Sequence, residues 1–220
     1  GIKKKKIEII PYGIETSYFK KKKFSKKKVV KFLVVGRNHP KKNYQAIVGA
    51  AKKLFLKKTN NFKIIFIGKD VLKLKTEIHQ ANLQSNIELI EQIGSNKKKN
   101  DIDKFPSTKL LQYYFDCDVF LFPSIIELCP VAILEATAAG LPIITSNTPG
   151  CRDIVLKSQN AILVDFKKED QIVFAMKKLI NNFNLRKKMS LNSIKHSKNF
   201  DLTLVAKKYE KLFINGLKND

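Results

Sequence analysis

The stretch Phe122-Pro-Ser-Ile-Ile-Glu127-Leu-Cys-Pro130-Val-Ala-Ile-Leu-Glu135-Ala-Thr-Ala-Ala-Gly140-Leu-Pro-Ile-Ile-Thr145 decides the fold. It reads as the end of one buried strand, a loop, a short apolar helix over 130–139 and a second buried strand over 141–145. Pro130 suits a first helical turn, where its missing N–H costs nothing. Gly140 ends the helix, a normal C-terminal place for glycine. Glu127 falls in the loop and Glu135 inside the helix, flanked by Ile133, Leu134 and Ala136. A carboxylate in such surroundings needs a partner, because burying it unpaired is expensive. That partner could be a ligand; the plainer reading is a pair of solvated glutamates.

The same alternation extends both ways along the chain. Apolar, β-branched runs at 29–35, 62–67, 87–90, 119–122 and 161–164 read as strands, with a further short strand at 7–10. Tyr44, Ile47, Val48, Ala51 and Leu54 repeat at helical spacing behind a candidate N-cap, Asn43. Further helices are expected over 71–83, after a cap at Ser107, around 172–179, at 184–197 and at 205–213. Residues 20–28 read as a Lys-rich loop and 95–106 as an inserted loop. Short strands alternating with helices give the fold class: α/β, a Rossmann-like parallel sheet with helices on both faces.

In such a sheet, ligands bind beyond the carboxyl ends of the strands. The loops 36–43, 68–70 and 123–130 all lie there. Gly36-Arg37-Asn38-His39-Pro40-Lys41-Lys42-Asn43 joins a glycine turn to cations and a helix start, which suits a diphosphate. A solvated turn in a Lys-rich chain is the alternative. Glu127 and Glu135 stand eight positions apart, about 2.2 helical turns, so they do not share one helical face. They suit opposite ends of a long ligand, since carboxylate oxygens accept separately from the two hydroxyls of a diol.

Composition narrows the remaining choices. At 220 residues the chain can bury one sizeable core. No apolar run reaches the length of a membrane span, and no signal-like amino end is visible. Neither methionine, Met176 nor Met189, is near the start, so an upstream part is expected to be missing. The net charge of +24 invites a polyanion partner, but only three of the 43 basic residues are arginine. Arginine is the usual residue for bidentate recognition of bases and phosphates. Compositional bias therefore stands ahead of a polyanion site, and no specific nucleic acid is expected. Attraction to an anionic membrane surface stays open. Cys117, Cys129 and Cys151 show neither metal nor disulfide spacing and read as buried free thiols in a reducing compartment. His79 and His196 have no partner pattern.

The Glu127–Glu135 spacing, with Phe-Pro-Ser before it and Glu-Ala-Thr-Ala-Ala-Gly-Leu-Pro after, resembles the carboxyl-terminal half of the retaining glycosyltransferases of family 4, which have the GT-B fold. Ile10-Pro-Tyr-Gly-Ile-Glu15 is similar to that family's interdomain linker. Gly36-Arg37 through Lys42 is similar to its phosphate loop, and Pro149-Gly-Cys-Arg-Asp-Ile-Val155 to a further segment. The resemblance implies residues 1–24 as a linker remnant and 25–200 as a nucleotide-sugar-binding Rossmann-like domain. Residues 201–220 would form a terminal helix packing toward an absent amino-terminal lobe, through which a sugar or lipid-linked acceptor would bind.

The same resemblance implies residue roles. Arg37 and Lys42 would hold the donor diphosphate, with Gly36 giving the turn. Glu127 would contact the donor sugar near the reacting face, and Glu135 would grip the ribose diol. Backbone groups at Leu128, Cys129 and Val131 would complete the cradle. Glu127, Arg37 and Lys42 are thus the expected catalytic set. No metal and no cofactor is expected, the nucleotide-sugar being a substrate. The expected location is cytoplasmic, or peripheral at a membrane. Gly68-Lys69-Asp70 lacks the second glycine frequent in the family after the second strand, Asp153 replaces a glutamate, and Ala161 replaces the glycine of an Asn-Gly turn. A non-catalytic nucleotide-sugar-binding module is one rival reading; a Lys-rich polyanion-binding domain is the other.

Overall fold

A computed structural model describes residues 7–19, 24–91, 106–165 and 167–217. Residues 95–105 of the expected loop at 95–106 and residues 20–23 of the Lys-rich segment 20–28 lie outside the described residues. In chain order the elements are β1 (Val30–Val35), α1 (Tyr44–Leu56), β2 (Phe62–Ile67), α2 (Lys75–Gln80), β3 (Ile87–Ile90), α3 (Thr108–Asp116), β4 (Val119–Phe122), α4 (Val131–Ala138), β5 (Ile143–Ser146), α5 (Pro149–Val155), β6 (Ala161–Val164), α6 (Glu169–Asn181), α7 (Phe183–Ser197) and α8 (Leu202–Leu217). The six strands form one parallel sheet in the order β3-β2-β1-β4-β5-β6. This is the expected α/β, Rossmann-like architecture.

Both faces of the sheet are covered, which is why its strands read as predominantly apolar runs, broken only by Lys31, Lys63, Glu88, Thr145 and Ser146. Period-two alternation sends Phe32, Val34, Ile64, Phe66, Val119 and Leu121 to one face. There they meet Ile47, Ala51 and Leu54 of α1 and Ile172, Met176 and Leu179 of α6. Leu33, Ile65, Phe120, Phe122 and Ile143 go to the other face, against Tyr114 of α3, Ile133 and Leu134 of α4, and Cys151 and Ile154 of α5.

Several boundaries differ from the sequence expectation for physical reasons. Residues 7–10 form no strand; Ile9 is 90 % exposed, and among the described residues no strand lies beside it to share its backbone bonds. The expected helix 71–83 is a 3-10 turn over Val71–Leu74 followed by the short α2. Val71 and Leu74 are buried while Leu72 is exposed, the i,i+3 pattern of a 3-10 turn. Asn43 sits in the left-handed region (φ 52) and its side chain does not cap α1. Ser107 does cap α3, its hydroxyl accepting from Leu110 N–H at 3.3 Å. The helix α5 had no counterpart in the sequence reading, because Pro149-Gly150 resembles a turn. The three cysteines are free, but Cys129 is partly exposed rather than buried.

The amino-terminal segment is tied to the sheet domain through the start of α8 and through Phe19, whose ring meets Tyr114 of α3 edge-on at 6.3 Å. Ile14 N–H donates to Phe200 O at 2.8 Å, and Leu202 N–H donates to Ile14 O at 2.9 Å. The Thr16 hydroxyl donates to the Asp201 carboxylate. These bonds fix residues 14–16 to the start of α8.

Candidate functional site

From β1 the chain moves outward to β2 and β3, then returns to the other side of β1 as β4. The strand order therefore reverses between β1 and β4, and a crevice opens at the carboxyl ends of that pair. The loops 36–43 and 123–130 leave those two ends. They are stitched together by Ile125 N–H donating to Lys41 O at 2.8 Å.

Across this seam Lys42 Nζ forms an ion pair with Glu127 Oε1. The same oxygen accepts from the Ser124 hydroxyl at 2.5 Å. The lysine ammonium also lies 4.7 Å from the centroid of the Phe122 ring, a cation–π contact. Both side chains are largely withdrawn from water, at 24 % and 17 % exposure, so their attraction is screened less than that of a surface pair. Glu127 Oε2 has no protein partner among the described residues.

Three glycines make this approach of loops possible. Gly36 and Gly68 have φ of 143° and 148°, a region that side-chain-bearing residues rarely adopt. A Cβ on Gly68 would collide with Gly36 O, and one on Gly150 would collide with the backbone carbonyl of Glu127. The β1–α1 loop thus lies directly on the β2–α2 loop, and the start of α5 directly beneath the Glu127 loop.

Tyr44, the first residue of α1, is fully buried beside Phe66, with ring centroids 5.3 Å apart. Its hydroxyl has no hydrogen-bond partner among the described residues. That hydroxyl is 3.0 Å from where a Gly36 Cβ would stand. Burial raises the phenol's pKa, and the Glu127 carboxylate adds to the rise.

Arg37 is placed differently from Lys42. Its side chain is 61 % exposed at the rim, and its Nε donates to Asp70 Oδ2 at 3.1 Å. Leu128 is 93 % exposed, Cys129 partly so, and Val131 opens α4 behind the N-cap Pro130.

Glu135 is buried, with 4 % exposure. The partner that a carboxyl in an apolar helix requires is Tyr114, whose hydroxyl donates to Glu135 Oε2 at 2.7 Å. A solvated glutamate is therefore ruled out here. Burial pushes the Glu135 carboxyl up to about 7, while the Tyr114 hydrogen bond pulls it the other way. Oε1 takes no hydrogen bond from the described residues.

Gly36, Lys42 and Glu127 are thus brought together at the crevice, with Arg37 at its edge; Leu128 and Cys129 follow Glu127 in the same loop, and Val131 lines an apolar cavity with Tyr12, Gly13 and, from α8, Leu202. Glu135 is joined to Tyr114 instead of to that cluster. Sequence reading missed Ser124, Tyr44, Tyr114 and the Arg37–Asp70 pair. Tyr114 could be noticed only as one apolar-face residue of a helix, and Asp70 only as an unexpected residue after a strand. A cation drawn in beside a helix start, at a switch point, is chemically suited to an anionic ligand, and carboxylates beside it to hydroxyls. Among the described residues no group of three or more His, Cys, Asp or Glu is arranged to hold a metal ion. No helix among them is long and apolar enough to cross a membrane.

Comparison with known proteins gives the family and the fold. The family described as "Glycosyl transferases group 1" matches residues 15–196. The chain is 25 % identical over 194 residues to D-inositol 3-phosphate glycosyltransferase of Corynebacterium glutamicum, covering 88 % of this chain and 44 % of that protein. It is 28 % identical over 229 residues to UDP-Gal:alpha-D-GlcNAc-diphosphoundecaprenol alpha-1,3-galactosyltransferase of Escherichia coli, covering 97 % and 55 %. The chain therefore spans about half the length of these curated relatives. The crystal structure of a glycosyltransferase from Rickettsia africae superposes with a TM-score of 0.83 at 19 % identity, covering 100 % of this chain and 59 % of that one. The fold matches that of GT-B glycosyltransferases.

Proposed function

The chain belongs to the glycosyl transferases group 1 family, and from there we propose that it is the nucleotide-sugar-binding, carboxyl-terminal lobe of a retaining glycosyltransferase. The donor is a UDP-hexose, the acceptor a hydroxyl, and the product a glycan or glycolipid. One observation carries this reading: Lys42 and Glu127 are paired across the β1–β4 switch point, a cation for phosphate beside a carboxylate for sugar. The UDP-Gal in the name of the Escherichia coli relative supports the choice of nucleotide.

In this reading Lys42 and Arg37 neutralise the diphosphate as the sugar–phosphate bond breaks, stabilising charge on the leaving group. Glu127, oriented by Ser124 and Lys42, accepts from donor-sugar hydroxyls through Oε2. Glu135, held at Oε2 by Tyr114, offers Oε1 to the ribose diol. Residues 7–19 and α8 form the connection to an amino-terminal lobe that binds the acceptor, with an anionic membrane surface as a further contact for the basic chain.

Titration of the chain with UDP, GDP and ADP tests the donor. UDP is expected to bind most tightly, in the micromolar range, and Lys42→Ala to weaken it at least tenfold. Tighter binding of GDP or ADP would reassign the base, and no binding of any nucleotide would remove the reading.

A further inference from the structure

The inference concerns the neighbour of Arg37 and rests on the function just proposed. Asp70 follows β2 with φ 67 and ψ 8, a left-handed conformation in which glycine is the unstrained residue. Its carboxylate takes two cations: Oδ2 accepts from Arg37 Nε at 3.1 Å, and Oδ1 from Lys73 Nζ at 3.0 Å. Its backbone is held as firmly. Asp70 N–H donates to Glu91 Oε1 at 2.7 Å, and Asp70 O accepts from Asn38 Nδ2 at 3.1 Å. Asn38 N–H in turn donates to Lys69 O at 2.8 Å. A chain of contacts thus runs from Glu91 beyond β3, through Asp70 beyond β2, to Arg37 beyond β1.

Among the described residues the guanidinium is held only through Nε. Among the described residues neither Nη group has a partner, so its two-nitrogen edge stays available for a bidentate anion. An exposed arginine tail otherwise has several rotatable bonds to fix on binding, and pre-ordering it lowers that cost. We propose that Asp70 is a positioning residue for the donor diphosphate: it anchors Arg37 through Nε and leaves the Nη edge facing the phosphates. Lys73 supports this by neutralising the second carboxylate oxygen; Lys73 first, then Arg37, hold the Asp70 carboxyl below the usual carboxylate range. With both oxygens paired to cations, Asp70 repels the incoming diphosphate less.

Loss of an ordinary loop residue and loss of this anchor have different signatures. Asp70→Gly removes the anchor yet suits the left-handed backbone, so its unliganded melting temperature is expected to equal or exceed that of the wild-type chain. Its UDP affinity, by calorimetry, is expected to fall about tenfold, while its affinity for uridine, by ligand-observed NMR, stays unchanged. Asp70→Asn keeps an oxygen acceptor for Nε and is expected to recover part of the loss. In an Arg37→Ala background Asp70→Gly should have no further effect on UDP. The proposal is overturned if Asp70→Gly binds UDP as well as or better than wild type, if uridine weakens in parallel, or if the loss persists without Arg37. If wild type binds UDP and Asp70→Gly is indifferent, only this inference falls. If wild type binds no UDP, the proposed function falls with it.

Discussion

The Tyr114 hydroxyl donates a 2.7 Å hydrogen bond to Glu135 Oε2, and both residues are buried against the sheet. The carboxyl therefore has a neutral partner in the apolar layer, not a cation. A neutral donor stabilises the anion too weakly to offset desolvation, so the proton is held to about pH 7.

This sets the sign of a pH dependence. Glu135 titrates at 4.5 in an ordinary environment and near 7 in the fold, so the native state binds more protons than the unfolded state across that window. Its contribution to stability is fully present below pH 4.5 and is lost as pH rises toward 7, by about 3 kcal/mol. Denaturant unfolding of wild type and Glu135→Gln between pH 4.5 and 7.5 should show that decline in wild type only. Parallel curves would place the Glu135 proton elsewhere.

Removing the donor should sharpen the same effect. Tyr114→Phe leaves the apolar ring but strips Oε2 of its partner, at a cost of about 1–3 kcal/mol. Because the lost hydrogen bond was lowering the Glu135 value, the pH at which stability levels off should move upward. Unfolding free energies at pH 6 and pH 8 check both consequences.

Gly150→Ala tests how tightly the Glu127 loop is seated. A Cβ there would collide with the Glu127 carbonyl and stand 2.7 Å from Leu128 O. Backbone cannot yield as a side-chain tip does, so a loss of about 1–3 kcal/mol in stability is expected. Nucleotide affinity should fall with it. A variant as stable as wild type, with unchanged UDP binding, would show that the two loops need no such contact.

Lys42 and Glu127 should be energetically coupled before any ligand arrives. Lys42→Met and Glu127→Gln, alone and together, form a double-mutant cycle. A coupling of about 0.5–3 kcal/mol is expected for a partly buried pair, and a value near zero would show that the pair is incidental.

Much of the fold is legible in the sequence because both sheet faces are buried, so the strands announce themselves as largely apolar runs, four of the six ending or starting at Gly36, Gly68, Pro123 or Pro142. What was misread depended on information outside the local pattern. Residues 7–10 look like a strand, but a strand needs a neighbour, and the sheet places none beside them. The 3-10 turn at Val71–Leu74 has the composition of a helix and differs only in spacing. At the site, Glu127 and Glu135 are visible as charges in unusual places, whereas Lys42 stands out among so many lysines only through the loop Gly36–Asn43 and its resemblance to a phosphate loop. Their partners are not visible: Ser124 and Tyr114 are ordinary residues until the fold brings them within hydrogen-bond reach. Arg37–Asp70 joins positions 33 residues apart, beyond any helical or strand period.

The most direct measurement is the thermal shift produced by UDP in wild type, Glu135→Ala and Glu135→Gln. At a concentration 100 times its Kd, UDP should stabilise the wild-type chain by about 2.7 kcal/mol and should raise the melting temperature of neither variant. Variants that melt cooperatively and gain the full UDP shift would contradict Glu135 as the ribose ligand. A wild-type chain indifferent to UDP would contradict the nucleotide-sugar site itself.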